Sequence, residues 1–190
     1  MTHVAGTEPY AWPYDGRLDG PRIALVLAGW DDGWQGRATG GSDGPAATAC
    51  ARLARAVDGF GGTVVTVAHA PGSALLPPVP SSTALTAAGT DGFWGGPLEA
   101  ELRQRGCTHL FVAGHGLEGP VHSLLRGAND RGFECLLVLD ACSTLTDDCR
   151  DAAGSMVCMS GGIFGAVGAT HDVLAALDAA VPSTPNPLAP

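Results

Sequence analysis

Residues 112–123 read "VAGHGLEGPVHS". An apolar run passes into Gly114-x-Gly116-x-x-Gly119, and Pro120 stands where a helix should begin. Glycines at this spacing, between a strand and a helix, match a dinucleotide-binding loop. A pyrophosphate would then rest on the helix N-terminus, and Asp140, closing the next strand, would hold a ribose hydroxyl. Two features weigh against this. The fingerprint normally follows the first strand of its domain, whereas this strand is the fourth. Pro120 also lacks an N–H that an anion would need.

Working outward from the loop, short apolar runs alternate with helical stripes. "RIALVL" from Arg22, "TVVTVAH" (63–69), Thr83–Ala87, "THLFVAG" (108–114), "ECLLVLD" (134–140) and "IFGAVG" (163–168) have the character of buried parallel strands. Between them, Cys50, Leu53, Ala54 and Val57 mark one side of a helix starting at Pro45. A helix over 97–105 carries Pro97 at its first turn and Gly106 just beyond its end, and a helix over 120–131 repeats that punctuation with Pro120 and Gly132. Its stripe is Val121, Leu124, Leu125 and Ala128. Thr146 caps a helix expected to turn Cys149, Ala152, Ala153 and Met156 inward, and Thr170 caps a last one through Leu177. This alternation predicts a three-layer, doubly wound α/β fold with a six-stranded parallel sheet. One domain over 1–180 is expected, with an extended arm at 1–20 and a disordered tail at 181–190.

The 190 residues carry a net charge of −9, and all ten positive residues are arginine. Without a basic face, nucleic acid and anionic membranes are disfavoured partners. No lysine is available as a base or Schiff-base former. The six cysteines are scattered singly, without a C-x-x-C pair, as buried reduced thiols of a cytoplasmic protein would be. The N-terminus lacks a basic start followed by an apolar run, so no signal peptide is expected. No apolar run reaches the ~18 residues of a membrane span.

Four ordered stretches, "EPYAWPYDGRLDGPRIALVL", "GFWGGPLEAELRQRGCTHLFVAG", "VHSLLRGANDRGFECLLVLDACSTLT" and "MVCMSGGIFGAV", resemble the isochorismatase-like superfamily of cysteine hydrolases and nicotinamidases. The resemblance is nearest to its biuret-hydrolase-like and ureidoacrylate-amidohydrolase-like amidases. It implies a triad in which an Asp closing the first strand activates a Cys opening the fourth helix, assisted by a Lys. Backbone N–H groups around the Cys would hold the oxyanion. Matched residue by residue, the Asp position is Ala28, the Lys position Ala87 and the Cys position Pro120. The resemblance therefore implies a chain without the family's thiol chemistry. Cys142, in "LDACST", reads as a structural thiol rather than a replacement nucleophile.

The same resemblance places a pocket at the carboxyl ends of the first and fourth strands, where ligands favour the sheet's reversal of order. His115, Glu118, Asp31 and Asp32 are the candidate acid–base residues there. Trp30, His69, Trp94, Gly116 and Pro120 are candidates for contact with a small-molecule ligand, with Trp34 as a further aromatic wall. His115 could equally be a loop residue bonded to backbone, and Asp31 and Asp32 turn formers. His122 reads as structural. No cofactor or metal is expected: Asp31 or Asp32 with His69 and His115 lacks the tight D-x-H arrangement of metal-binding nicotinamidase-type relatives. The expected function is non-hydrolytic acid–base chemistry on a small organic molecule, such as cyclisation, isomerisation or elimination in specialised metabolism such as antibiotic biosynthesis. The alternative is an inert partner or scaffold subunit. Dimers or larger homo-oligomers, common in the family, are expected in either case.

Overall fold

The structure is a computed structural model that describes residues 1–38, 40, 44–69, 74–146 and 148–180. The expected tail, 181–190, lies outside the described residues.

Six strands make one parallel sheet: β1 (Ile23–Ala28), β2 (Thr63–His69), β3 (Thr83–Ala87), β4 (His109–His115), β5 (Glu134–Ser143) and β6 (Ala166–Gly168). Their order is β3-β2-β1-β4-β5-β6. All six residues of β1 are buried, as its unbroken apolar run requires for a central strand covered on both faces. The helices are α1 (Asp32–Gln35), α2 (Pro45–Gly59), α3 (Leu98–Gln104), α4 (His122–Asp130), α5 (Cys149–Cys158) and α6 (Thr170–Ala180). The chain steps one way from β1 to β2 and the other way from β4 to β5. Right-handed crossovers therefore set α2 and α4 on opposite faces. The anticipated stripes of both helices are buried: Cys50, Leu53, Ala54 and Val57 on α2, and Leu124, Leu125 and Ala128 on α4.

Several elements depart from expectation for local reasons. A short helix, α1, occupies what reads as an unbroken glycine loop. Asp31 nucleates it by accepting the Trp34 amide at 2.9 Å, a side-chain N-cap. Pro120 does not open α4. It sits fourth in a π-helical turn, Leu117–Val121, that runs into α4. Proline has no N–H to give to the Gly116 carbonyl, and the Val121 amide takes that carbonyl instead at 3.3 Å, which widens the turn. β6 begins only at Ala166, because Gly165 at φ 88 breaks the extended backbone. α5 buries Ala153, Gly154 and Val157, whereas Met156 is 45% exposed. The inward stripe is thus one position round from the expected one.

The arm is more than a surface strap. Trp12 is fully buried against Phe111, ring centres 4.9 Å apart. Glu8 and Val167 pair as an antiparallel bridge that covers the β6 edge. Asp140 does not close its strand but lies within β5, and it accepts both the amide and the hydroxyl of Thr170, at 2.8 and 2.9 Å, which fixes the start of α6. That use of Asp140 replaces the ribose contact of a dinucleotide loop.

Candidate functional site

The sheet order reverses between β1 and β4, and the residues after these strands meet there with the end of β2. Asp31 is the brace of the region. It is 1% exposed, and its two oxygens accept separate backbone amides: Oδ1 from Trp34 and Oδ2 from His69, at 2.9 and 2.8 Å. One carboxylate thereby ties the first turn of α1 to the last residue of β2. Charge-assisted bonds to backbone N–H are among the stronger hydrogen bonds in a protein.

His69 is 7% exposed. Its Nδ1 lies 2.8 Å from the Gly89 carbonyl oxygen. A carbonyl can only accept, so Nδ1 carries the proton and donates. The neutral ring then has a bare lone pair on Nε2. That nitrogen is buried and has no hydrogen-bond partner among the described residues. His69 helps to line a pocket of about 230 Å³, with Asp31, Gly33, Trp34, Arg37, Gly89 and Thr90 among the described residues.

Trp34 decides the shape of this pocket. A Cβ on Gly116 would lie 2.5 Å from the indole, and one on Gly119 would lie 2.8 Å from it. The two glycines of the opening motif are therefore the seat of a tryptophan. Only glycine lets the ring approach the β4–α4 turn so closely. The indole covers the turn that carries Pro120, and the Arg37 guanidinium carbon lies over its ring, 5.4 Å from the centre. The dinucleotide spacing thus serves side-chain packing, with an indole where a pyrophosphate would sit.

The other candidates are dispersed. His115 is completely buried. Its Nδ1 is 3.0 Å from Ser143 Oγ, and its ring stacks on Trp30 at 5.2 Å. Burial pushes its pKa below the ordinary histidine value, and the Asp31 charge opposes that weakly. Trp30, 6% exposed, donates its indole N–H to the Leu76 carbonyl and belongs to the core. Glu118 turns away from His69 and accepts the amides of Leu145 and Thr146 at 2.7 and 3.4 Å. It lines a separate apolar cleft with His122 and Cys149. Asp32 is exposed on α1. Trp94 is 64% exposed and packs beside Gly89. Pro120 is buried, and Gly116 lies in the left-handed region at φ 76. Ala28 and Ala87 are buried at the ends of β1 and β3.

Of the sequence candidates, then, the structure brings Asp31, Trp34 and His69 together at a pocket and adds Arg37 and Thr90. Nothing in the sequence distinguishes Thr90. Arg37 had one signal: it lies three residues beyond Trp34, a spacing that lets it reach the same face of a helical turn. No group of three or more His, Cys, Asp or Glu residues is arranged to hold a metal among the described residues.

The doubly wound parallel sheet carries this pocket at the carboxyl ends of β1, β2 and β3, to one side of the β1/β4 reversal where the resemblance put it. The chain belongs to the isochorismatase family: the isochorismatase domain matches residues 24–167. Among solved structures it is similar to an isochorismatase family protein from Burkholderia thailandensis, at 25% identity and a TM-score of 0.73, covering 83% of this chain and 96% of that one. A cysteine hydrolase from Pseudomonas syringae pv. phaseolicola shares the fold at 12% identity and a TM-score of 0.74, over 85% of this chain and 95% of that one. So does the nicotinamidase from Staphylococcus aureus, at 14% identity and 0.67, over 77% and 98%.

Proposed function

We propose that this chain is a family member from which thiol hydrolysis has been lost, and that it binds a small organic molecule beside His69 and transfers a proton on it. The observation that carries this reading is the covered turn after β4: Pro120 stands at the position matched to the nucleophile, beneath the indole of Trp34. The positions matched to the amidases' Asp and Lys are Ala28 and Ala87, which supply neither an activating carboxylate nor an ammonium. Losing one member of such a constellation already removes several orders of magnitude in rate. What remains nearby is an imidazole of fixed tautomer, its lone pair buried and unmatched among the described residues. A neutral histidine with a free ring nitrogen is a general base in waiting. Without a nucleophile, its chemistry is isomerisation, elimination or cyclisation. His69, not the sealed His115, is the residue assigned this role.

The test is native mass spectrometry of the protein purified from its own host, followed by turnover assays on any small molecule that copurifies. Wild type should convert the compound and His69→Asn should not. Hydrolysis of an amide panel by the wild type at rates typical of the family would overturn the reading.

A second reading, an assembling subunit, is favoured by one surface. Met156, Met159 and Ile163 are 45, 80 and 72% exposed on and just after α5, beside Leu145 at 40%. Such a strip fits a homo-oligomer contact. Sedimentation of the wild type and of Met159→Glu would show a change of mass if the strip mediates assembly. Unpaired cysteines, four of them buried, accord with a reducing compartment such as the cytoplasm. No helix among the described residues is long and apolar enough to cross a membrane.

A further inference from the structure

We infer that the ligand of the His69 pocket is a small planar acid that carries an N–H or O–H donor next to its carboxylate. The inference presupposes the pocket proposed above and adds the chemical class of what fills it.

Charge comes first. Two ionised residues line the pocket among the described residues, Asp31 and Arg37. The Asp31 carboxylate is buried, and both of its oxygens already accept backbone amides. Its charge is answered within the protein. Arg37 is exposed at the pocket wall, its guanidinium carbon over the Trp34 ring. A guanidinium is a planar fork of N–H donors that matches a carboxylate. The charge presented to a ligand is therefore positive, although the whole chain carries −9.

The second requirement is a donor. Nδ1 of His69 is committed to the Gly89 carbonyl, so Nε2 can only accept while the ring is neutral. It is buried without a partner among the described residues, in a residue 7% exposed. A buried acceptor left unmatched is costly, and a ligand N–H or O–H would relieve that cost. An ester, ether or ring oxygen in the same place would meet lone pair with lone pair.

Size and shape complete the assignment. About 230 Å³ holds roughly eight non-hydrogen atoms, taking a water's share of liquid volume as the measure. One wall is the Trp34 indole, which favours a flat ligand. Pyrrole-2-carboxylate has the size, the plane, the carboxylate and an adjacent N–H. Furan-2-carboxylate lacks only the donor, and pyrrole-2-carboxamide lacks only the charge.

The experiment titrates these three probes into the full chain with nitrogen-15-labelled histidine. It follows the His69 ring nitrogens by NMR and takes affinities from the titrations. Pyrrole-2-carboxylate is expected to move the His69 Nε2 resonance and to bind at least about tenfold more tightly than either analogue. Arg37→Gln should erase the preference for acid over amide. His69→Asn keeps a donor for the Gly89 carbonyl but removes Nε2, so it should erase the preference for pyrrole over furan. Equal binding of acid and amide, with His69 still responding, would overturn the acid class and leave the pocket assignment standing. Equal binding of pyrrole and furan would overturn the donor requirement in the same way. If no probe at tens of millimolar moves the His69 resonances, both the ligand class and the pocket fall.

Discussion

Replacing Asp31 by alanine removes a carboxylate that holds two backbone amides from different elements. Hydrogen bonds to a charged group contribute about 1.5–3 kcal/mol each to stability. Two of them, at 2.9 and 2.8 Å in a residue 1% exposed, give a loss of at least about 3 kcal/mol at the low end. Part of that loss is the N-cap of α1, which alone is worth about 1 kcal/mol. For a chain of this length, 1 kcal/mol corresponds to about 2–4 °C in melting temperature, so the expected fall is roughly 6–12 °C. Asp31→Asn should lose about half as much, because its amide oxygen can accept from one N–H while its NH₂ faces the other. Asp32→Ala is the control: the side chain is exposed on the next residue and should stay within about 0.5 kcal/mol of wild type. Differential scanning calorimetry on the three variants decides the matter. Equal shifts for Asp31→Ala and Asp32→Ala, or a fall below about 2 °C for the former, would refute the bracing role.

Three further outcomes are expected. Burial holds His115 neutral in the folded chain, with a pKa below its unfolded value near 6.5. As pH falls through that value the unfolded chain takes up a proton that the folded chain resists, so stability must fall. Urea midpoints at about pH 7.5 and about pH 5.5 measure the loss, and His115→Gln should reduce it. In the native state a thiol reagent should titrate only the half-buried Cys149 and Cys158. Cys50, Cys107, Cys135 and Cys142 are buried, the Cys142 thiol being pushed up to about 12, so these four should react only in denaturant. Pro120→Cys alone should create no measurable amidase activity, because Ala28 and Ala87 supply no partners and Trp34 still covers the turn; a peptide-amide or nicotinamide hydrolysis assay tests this.

Much of this architecture was legible in the residues. The apolar runs of β1, β2, β4 and β5 sit where periodicity put them, and the stripes of α2 and α4 face the sheet, because burial on both faces of a parallel sheet dictates composition directly. Local chemistry that depends on one side chain was harder to read. α1 exists because Asp31 caps it, and a glycine-rich string hides a four-residue helix. The rotation of the α5 stripe follows from how that helix meets β6 and the π-helical turn, which no helical period encodes.

The candidate site divides in the same way. The sequence by itself determined the sheet-and-helix class and the family resemblance, because these are statements about residue type and order. It also placed Asp31 and His69 near the ends of their strands. Which polar groups face one another was a tertiary matter. His115 and Glu118 lie within three residues of each other, yet one is sealed beneath Trp30 and the other is drawn to the Leu145 and Thr146 amides. His69 and Gly89 are twenty residues apart, and their hydrogen bond alone fixes the tautomer that makes Nε2 an acceptor. The glycine motif that invited a nucleotide instead receives an indole from 82 and 85 residues upstream, counting from Trp34 to Gly116 and Gly119. Spacing along a chain can only propose such contacts. The sheet's register and the packing of Trp34 against two missing side chains settle them.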